Sequence, residues 1–478
     1  MVFANRNFSI NLLWISLVLF IVISIVFLLP VDPNDYWWFL RLGRDILGQG
    51  YIPTVDTYSY TQTGQPMFYP SWLAAITLFG LRQIGGLTFT VLARGVLIAS
   101  FYLFIWLTCW EKGAGPRLAS GLVLLTALAG SANWSIRPQT FAYPLFGLTL
   151  WLLVRWQLGK NRCLWLLPLV AALWVNLHGS FFLFFALCGS ALVAGHGSRR
   201  LMLIILGVAF LATFINPSGP SVWWLSFQMT TNLSILQFSS EWSPPTNTNW
   251  QMNLFYICLL VFPLLIARSP RRLNGVEWLW FLGLGWLALS GLRYVIWFLA
   301  VMAPILATLI TPLVRVHPER LEPRTHPGIN LGFSMFFLLS TLTLLPAARI
   351  GWWKNGPPVL TANTPVEAVN WLKVHPDLPG PLWSDVVFAS YLIEALPERL
   401  VWSDTRFHLF PVDQWRRYIL ICNADPGWVQ ALSQDGVNLL LLDPTSQPKL
   451  IQVLNLSESW KQVYQDNGAL IFLRNNSS

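Results

Sequence analysis

Charged residues are scarce in this chain. Asp, Glu, Lys and Arg make up only 11% of its 478 residues, whereas 55% are hydrophobic and 15% are aromatic. A water-soluble domain carries about 25% charged residues, so most of this surface faces something other than water. The composition therefore excludes an ordinary soluble globular protein and indicates a protein embedded in a lipid bilayer.

Cysteine is also scarce, and its spacing has no metal-binding pattern. The five cysteines include no C-x-x-C pair, and four of them lie in or beside hydrophobic segments. We therefore expect neither a disulfide framework nor a zinc site. The net charge of +9 is spread over short basic clusters between hydrophobic segments. Such clusters do not indicate a nucleic-acid partner, although a basic balance alone would allow one.

Eleven hydrophobic segments are candidate membrane spans. A helix needs about 20 apolar residues to cross the hydrocarbon core, and several of these segments are shorter. One marginal segment, 163–177 or 180–196, could instead be re-entrant. No cleavage site follows the first segment, so we interpret it as a retained span. The segments are 10–30, 87–110, 118–134, 139–158, 163–177, 180–196, 201–215, 251–267, 277–290, 294–314 and 328–347.

Basic clusters predict the orientation of these spans. If Arg6 is cytoplasmic and the chain changes sides at each span, every basic cluster beyond the first loop falls on the cytoplasmic side, as the positive-inside rule requires. We therefore predict a multi-pass inner (plasma) membrane protein with a cytoplasmic N-terminus and outer loops at 31–86 and 216–250. The clusters are Lys112/Arg117, Arg155/Lys160/Arg162, Arg199/Arg200, Arg268/Arg271/Arg272 and Arg315/Arg320/Arg324.

The C-terminal segment differs from the rest of the chain. Residues 1–348 are the predicted transmembrane domain, whereas 349–478 carry more charge and alternate β-rich with helical runs. That alternation predicts a small extracytoplasmic α/β domain. A helix is expected to begin at Thr364-Pro365. The other predicted elements are strands at 381–385, 399–404, 437–443 and 469–474, and helices at 388–396, 412–422, 426–434 and 447–456.

The fold class predicted from these patterns is mainly α. It is a polytopic transmembrane helical bundle of about eleven spans with the small α/β domain at its C-terminal end.

Within the first outer loop, 37–44 and 71–84 have the pattern of amphipathic helices that lie in the membrane interface.

Six polar residues gather at the outer ends of the predicted spans. Charged groups near the membrane are costly, so each is a candidate functional residue. Each also has a structural interpretation: an aspartate can cap a helix, an arginine can anchor a helix end, a histidine can bond to backbone, and a loop glutamate can be solvated. We expect Asp45 and Asp56 to be structural. The six candidates are Asp32, Asp35, Arg137, His178, Glu241 and Arg293.

These residue types suit sugar transfer from a polyprenyl-phosphate sugar. A carboxylate at the outer surface can act as a general base towards an acceptor hydroxyl. Arginine can bind a phosphate through two parallel hydrogen bonds and stabilise it as it leaves, and a histidine could help to hold it. A cavity open to the lipid would admit the isoprenoid tail of such a donor. The residues name no cofactor, and a divalent cation is left open.

Several motifs resemble one family. They are DPNDYWWFLRLG from Asp32 to Gly43, GYIPTVDTYSYT from Gly50 to Thr61, Trp72, Arg137-Pro138-Gln139, WVNLHGS from Trp174 to Ser180, Glu241-Trp242, and VWSDTR from Val401 to Arg406. In these motifs the sequence resembles, over nearly the whole chain, bacterial members of the GT-C glycosyltransferase superfamily. That superfamily includes the protein O-mannosyltransferases, the lipid A aminoarabinose transferase and the Rgt-type lipopolysaccharide-core transferases.

The resemblance implies a catalytic acid in the first outer loop and a polyprenyl-phosphate sugar as donor. By position the acid is Asp32 or Asp35. We therefore predict a glycosyltransferase in which Asp32 is the base and Asp35 its neighbour or replacement. Arg137, His178 and Arg293 would hold the donor phosphate, and Glu241 is a possible additional acid. The acceptor would be a glycan, a lipid or a protein.

Two other functions remain open at this point. The first is a transporter of a lipid-linked glycan, although transporters usually have internal repeats and polar groups at mid-membrane, and neither is visible in the sequence. The second is a non-enzymatic membrane scaffold or assembly protein, in which the acids are only helix caps. Fold resemblance alone does not decide between these functions.

Overall fold

The structure is a computed structural model that describes residues 2–314 and 326–475, with side chains from residue 9 onward. The side chain of Arg6 and the predicted basic cluster Arg315/Arg320/Arg324 lie outside the described residues.

The described chain is mainly helical. Its helices, in chain order, are α1 Val2–Leu28, α2 Tyr36–Gln49, α3 Trp72–Glu111, α4 Pro116–Ala129, α5 Pro138–Gln157, α6 Leu166–Leu177, α7 Phe182–Ala194, α8 Arg199–Ala212, α9 Val222–Thr230, α10 Leu233–Phe238, α11 Trp250–Arg268, α12 Gly275–Ser290, α13 Val295–Ile310, α14 Pro327–Thr341, α15 Pro346–Trp352, α16 Val366–Lys373, α17 Val386–Ala395, α18 Val412–Cys422, α19 Trp428–Gln434 and α20 Pro448–Asn455. Its strands are β1 Leu382–Ser384, β2 Leu439–Leu442, β3 Trp460–Gln465 and β4 Leu470–Arg474.

Each of the eleven predicted spans coincides with a helix, from α1 for the first to α14 for the last. Within residues 2–314 and 326–475, five helical stretches are both long and apolar enough to cross a membrane, and the other helices there are shorter or less apolar. The count of about eleven spans therefore stays a prediction. The five stretches are Ser9–Leu28, Trp72–Glu111, Trp250–Arg268, Leu292–Ile310 and Pro327–Leu344.

The chain divides into two compact units. The helical unit contains Met1–Leu29, Gly85–Val222 and Ser240–Pro357, and the mixed unit contains Pro30–Ile84, Trp223–Ser239 and Pro358–Ser478. The first division falls inside α3, where Gly85 and Gly86 leave the helical conformation. Gly86 has φ +63°, which glycine adopts without a steric penalty.

The helical unit is built around α13. This helix is buried along nearly its whole length and packs against α4, α11 and α12. By contrast, α11 and α14 leave large apolar side chains exposed, among them Leu260, Leu264, Phe333 and Phe336. A helix with an exposed apolar surface is stable where lipid covers that surface, because its backbone groups are all satisfied internally.

Two buried arginines close the C-terminal end of α1. Arg94 donates to the carbonyl oxygen of Val26 at 2.7 Å, and Arg349 donates to that of Phe27 at 2.9 Å. The last carbonyls of a helix have no partner within the helix, and they carry partial negative charge. The two guanidinium groups therefore satisfy carbonyl oxygens at the C-terminal end of α1.

The mixed unit contains a four-stranded sheet of order β1-β2-β4-β3. β1 and β2 are parallel, with Leu382 opposite Leu439, and the other two pairs are antiparallel. The sheet core is apolar and includes Trp383, Leu440 and Phe472.

Most of the elements predicted for the C-terminal segment are confirmed, with two corrections. Residues 399–404 do not form a strand, because only Val401 pairs, in an isolated bridge with Ser59 of the first loop. β3 was not predicted. It is an edge strand in which Lys461, Gln462 and Gln465 are polar and exposed, so it lacks the apolar alternation of a half-buried strand. At the start of α17, Asp385 accepts from the backbone N–H of Val387 at 2.8 Å.

The two helices predicted in the first loop form, but protein covers the apolar face of α2. Its aromatic residues Trp37, Trp38 and Phe39 are buried, and the ring centroid of Trp37 is 4.8 Å from that of Tyr391 in α17. A Cβ on Gly43 would lie 2.3 Å from the carbonyl oxygen of Ala75, so only glycine allows this approach to α3. The membrane-interface interpretation is therefore wrong for this face of α2.

Candidate active site

Arg137 and Glu241 form an ion pair in the helical unit. Arg137 has extended backbone just before α5, where Pro138 takes the first helical position. Its backbone N–H donates to Thr140 Oγ1 at 3.3 Å, which fixes the turn into the helix. The guanidinium donates through Nη1 to Oε1 of Glu241, which lies in the 3₁₀ turn Ser240–Trp242.

The same turn packs against Arg293. The guanidinium carbon of Arg293 lies 4.6 Å from the ring centroid of Trp242, within the range of a cation–π contact. Leu292 N–H donates to the carbonyl oxygen of Ser243 at 3.0 Å, and Gln139 Nε2 donates to that of Arg293 at 3.3 Å. The starts of α5 and α13 and the 240–243 turn therefore bring two arginines and one glutamate together.

His178 ends α6 and begins the 3₁₀ turn Gly179–Phe181. Its Nδ1 accepts from the backbone N–H of Ser180 at 3.1 Å, as the structural interpretation of a helix-end histidine expects. A neutral ring that accepts at Nδ1 carries its hydrogen on Nε2. Burial lowers the pKa of His178 well below its usual range, and the positive charges of Arg293 and Arg137 lower it further. His178 is therefore a neutral hydrogen-bond donor rather than a cation.

Two neighbouring arginines keep the carboxyl of Glu241 ionised. Burial opposes ionisation of this carboxyl, but Arg137 and then Arg293 outweigh it, so the pKa of Glu241 lies below its ordinary value. Glu241 is therefore an anion at neutral pH and a counter-ion to the two arginines. Of the six predicted site residues, four thus share one electrostatic neighbourhood: Arg137, His178, Glu241 and Arg293.

Asp32 and Asp35 belong to the mixed unit. Asp32 follows Val31, which forms a parallel bridge with Leu360. Asp35 occupies the N-cap position of α2 but makes no side-chain cap hydrogen bond. Its Oδ1 instead accepts from the indole N–H of Trp38 at 3.3 Å. The helix-cap interpretation of Asp35 is therefore right about its position and wrong about its carboxylate.

No protein-family model matches the sequence, and no curated protein matches it. Among the solved structures that match its structure are two glycosyltransferases. The oligosaccharyltransferase AglB from Archaeoglobus fulgidus aligns with a TM-score of 0.53 and 10% identity over 96% of this chain and 74% of that one. The arabinofuranosyltransferase AftD from Mycobacteria aligns with a TM-score of 0.56 and 15% identity over 96% of this chain and 41% of that one.

The chain has the GT-C fold. Together with the five helices of spanning length and apolarity, this fold makes it an integral membrane protein. In the described part of the chain, no three His, Cys, Asp or Glu side chains are grouped so that they could hold one metal ion.

A buried ion network in the mixed unit was only partly predictable from the sequence. Arg406 donates to Asp56 at 2.6 Å and to both oxygens of Asp404, at 2.9 and 2.6 Å, and all three side chains are fully buried. Asp56 also accepts from Ser59 Oγ at 2.6 Å. The network confirms that Asp56 is structural. The sequence shows the VWSDTR motif, but it does not reveal that Asp56 of the first loop is the partner of this motif.

Proposed function

We propose that this protein is a glycosyltransferase that moves a sugar from a polyprenyl-phosphate donor to an acceptor at the outer face of the membrane. The observation that carries the proposal is the grouping of Arg137, Arg293 and His178 at helix starts within a GT-C fold. Two guanidinium groups and a neutral imidazole N–H are hydrogen-bond donors suited to an anionic phosphate.

The donor class is supported by a structural neighbour. AglB, which has a similar fold, was solved in complex with an inhibitory peptide and a dolichol-phosphate. A lipid phosphate of this kind has a charged head at the membrane surface and an apolar tail in the bilayer. A polyprenyl-phosphate sugar is therefore the donor that we propose, and the acceptor is a glycan, a lipid or a protein.

In the proposed reaction, Asp32 takes the proton from an acceptor hydroxyl, with Asp35 beside it in the chain. The acceptor oxygen forms a bond to the anomeric carbon of the sugar, and the bond from that carbon to the phosphate oxygen breaks. The phosphate leaves with the bonding electron pair, and the resulting polyprenyl phosphate carries one more negative charge than the donor. Arg137, Arg293 and the Nε2–H of His178 stabilise that charge as it develops.

The test of this function is sugar transfer by the purified full chain in lipid nanodiscs. A panel of radiolabelled undecaprenyl-phosphate hexoses and pentoses serves as donor, and envelope material from a strain lacking the gene serves as acceptor. We expect label to move from one donor into that material. If no donor in the panel supports transfer, and the deletion strain has an unaltered envelope glycan profile, the proposed function is wrong.

Glu241 offers a prediction on phosphate binding. Glu241 pairs with Arg137 and is ionised at neutral pH, so it competes with a lipid phosphate for the guanidinium. Replacing Glu241 by Gln should strengthen binding of undecaprenyl phosphate about tenfold, because removing a like charge near the bound anion removes about 1.4 kcal/mol of repulsion or more. Binding to nanodisc-embedded protein can be followed by native mass spectrometry.

Matched variants separate the possible roles of Glu241. Arg137→Ala and Arg293→Ala should each weaken undecaprenyl phosphate binding, whereas Arg416→Ala, which removes an exposed arginine paired with Asp413, should leave it unchanged. If Glu241→Gln instead leaves phosphate binding unchanged and abolishes transfer, Glu241 is the additional acid that the sequence allowed.

The orientation of the chain is a separate prediction. We expect the N-terminus inside and the C-terminal segment outside, because the basic clusters fall on one side of the predicted spans. With the five native cysteines replaced, a membrane-impermeant maleimide should label Lys461→Cys in β3 and not Arg272→Cys in the α11–α12 loop, both at exposed positions. Permeabilised membranes, in which both positions react, provide the control. The opposite labelling pattern would overturn the topology.

A further inference from the structure

The short segment that carries the candidate base is held by the C-terminal segment at three points. The first point is Val31, whose N–H donates to the carbonyl oxygen of Val359 at 2.8 Å and whose own carbonyl accepts from Thr361 N–H at 3.2 Å. The second is the carbonyl oxygen of Asn34, which accepts from Ser390 Oγ in α17. The third is Trp38 in the first turn of α2, which contacts Ser390 and Thr405. All of these residues lie in the mixed unit.

Ser390 supplies a helix cap that Asp35 does not. Trp38 is the third residue of α2, and its N–H has no acceptor within the helix. An aspartate at the N-cap position usually accepts from this N–H. Here the N–H of Trp38 donates to Ser390 Oγ instead, at 3.4 Å. A hydroxyl can donate one hydrogen bond while accepting others, so the fully buried Ser390 joins the Asn34 carbonyl to the first turn of α2. The Asp35 carboxylate therefore has a different partner from the one expected of a cap.

Thr405 contacts the indole of Trp38, which is the partner of the Asp35 carboxylate. The indole N–H of Trp38 is shared between Thr405 Oγ1 at 3.1 Å and Asp35 Oδ1 at 3.3 Å. Thr405 lies between Asp404 and Arg406, whose buried ion network with Asp56 fixes the backbone on both sides of it. The position of Thr405 thus limits where the indole, and with it the Asp35 carboxylate, can lie.

The spacing of the three points places both candidate carboxylates between them. Asp32 lies between Val31 and Asn34, and Asp35 lies between Asn34 and Trp38. Pro33 further restricts the backbone here, because its ring fixes φ. A backbone held this way limits where the two carboxylates can lie, and general-base catalysis needs such a defined geometry.

We propose that Ser390 and Thr405 are positioning residues for the first-loop base, so that the C-terminal segment is part of the catalytic apparatus rather than an accessory domain. This inference rests on the proposed function. Neither residue touches the reacting atoms; Ser390 acts through the Asn34 carbonyl and α2, and Thr405 acts through Trp38. Their loss should lower the turnover rate and leave the affinity for the donor unchanged.

The first measurement does not depend on activity. The full chain, labelled with 5-fluorotryptophan in nanodiscs, is compared by ¹⁹F NMR with variants, and the Trp38 signal is assigned with Trp38→Phe. We expect Ser390→Ala and Thr405→Val to shift the Trp38 signal, and Thr405→Ser, which keeps the hydroxyl, to restore it. Ser384→Ala is the matched control, because Ser384 is buried and its hydroxyl has no hydrogen-bond partner in the described chain. An unchanged Trp38 signal in both variants would overturn the inference.

The second measurement is the rate of transfer from the radiolabelled undecaprenyl-phosphate sugar on which the wild type acts. A misplacement of about 1 Å can cost about 100-fold in rate, so we expect Ser390→Ala and Thr405→Val to lower turnover by about 10- to 100-fold. Binding of undecaprenyl phosphate should match the wild type. Turnover equal to that of Ser384→Ala would refute the positioning role while leaving the proposed function intact. A wild type that transfers no sugar would instead refute the proposed function, and the catalytic role of the two residues with it.

Discussion

Replacing Asp32 by Asn should lower sugar transfer by about 10²- to 10⁴-fold, the usual contribution of a general base. Asn keeps the shape of Asp, but its amide cannot take a proton from the acceptor hydroxyl at neutral pH. Binding of undecaprenyl phosphate should be unchanged, because the residues proposed to donate hydrogen bonds to the phosphate are Arg137, Arg293 and His178. The measurement is the transfer rate at saturating donor.

Two substitutions of the same kind calibrate this result. Asp35→Asn reports whether the neighbouring carboxylate shares or replaces the role of Asp32. Asp45→Asn is the control, since Asp45 lies on α2 and its Oδ2 accepts both from Arg41 Nε at 3.0 Å and from Tyr58 Oη at 2.8 Å. An asparagine oxygen can still accept from both, so we expect activity close to that of the wild type. Full activity in both Asp32→Asn and Asp35→Asn would exclude a first-loop base and move the assignment to Glu241 or to a scaffold function.

The helices of this fold could be predicted because their signal is local. Long apolar runs such as 294–314 correspond to α13, and the apolar run 437–443 corresponds to β2. β3 was missed although its partner β4 follows it directly in the chain, because the exposed polar side chains of this edge strand give no apolar alternation. The predicted strand at 399–404 was wrong for a different reason. Val401 lies in an extended segment that pairs with Ser59 of the first loop, and the sequence cannot reveal a partner that lies hundreds of residues away.

In the candidate site, too, single residues could be predicted from the sequence but their contacts with distant residues could not. The cost of charge near a membrane was enough to single out Arg137, His178, Glu241 and Arg293. The ion pair between Arg137 and Glu241, 104 residues apart, could not be inferred from spacing. Nor could the contact of Ser390 with Trp38, which spans 352 residues. A serine in the middle of a helix gives no sequence signal that it caps another helix.

Replacing Arg406 by Met should destabilise the mixed unit more than any other substitution that we consider. Methionine has a similar length but no charge, so the variant would leave Asp56 and Asp404 fully buried without their shared cation. Removing one partner of a buried ion pair costs about 3–5 kcal/mol, because the remaining charge has lost both solvent and counter-ion. For a unit of this size, that loss lowers the unfolding midpoint by about 6–20 °C. The midpoint can be followed by near-ultraviolet circular dichroism of the purified protein.

A matched surface pair gives the control for Arg406→Met. Arg416 forms an ion pair with Asp413 at 2.9 Å, but their side chains are 68% and 87% exposed. Exposed pairs contribute about 0–1 kcal/mol, so Arg416→Met should barely change the midpoint. Equal effects of Arg406→Met and Arg416→Met would contradict a role for the buried charges.

The triple variant Asp56→Asn, Asp404→Asn, Arg406→Met then identifies the cause of the destabilisation. Replacing a whole buried ion network by neutral groups is often far less costly than removing one member. If uncompensated charge is the cause, the triple variant should recover part of the stability that Arg406→Met loses. If lost packing of Arg406 against the ring of Tyr58, 4.9 Å away, is the cause, the triple variant should be no more stable than Arg406→Met. Because Thr405 lies between Asp404 and Arg406, recovery of stability without recovery of transfer would mean that the charged network also holds Thr405 in place.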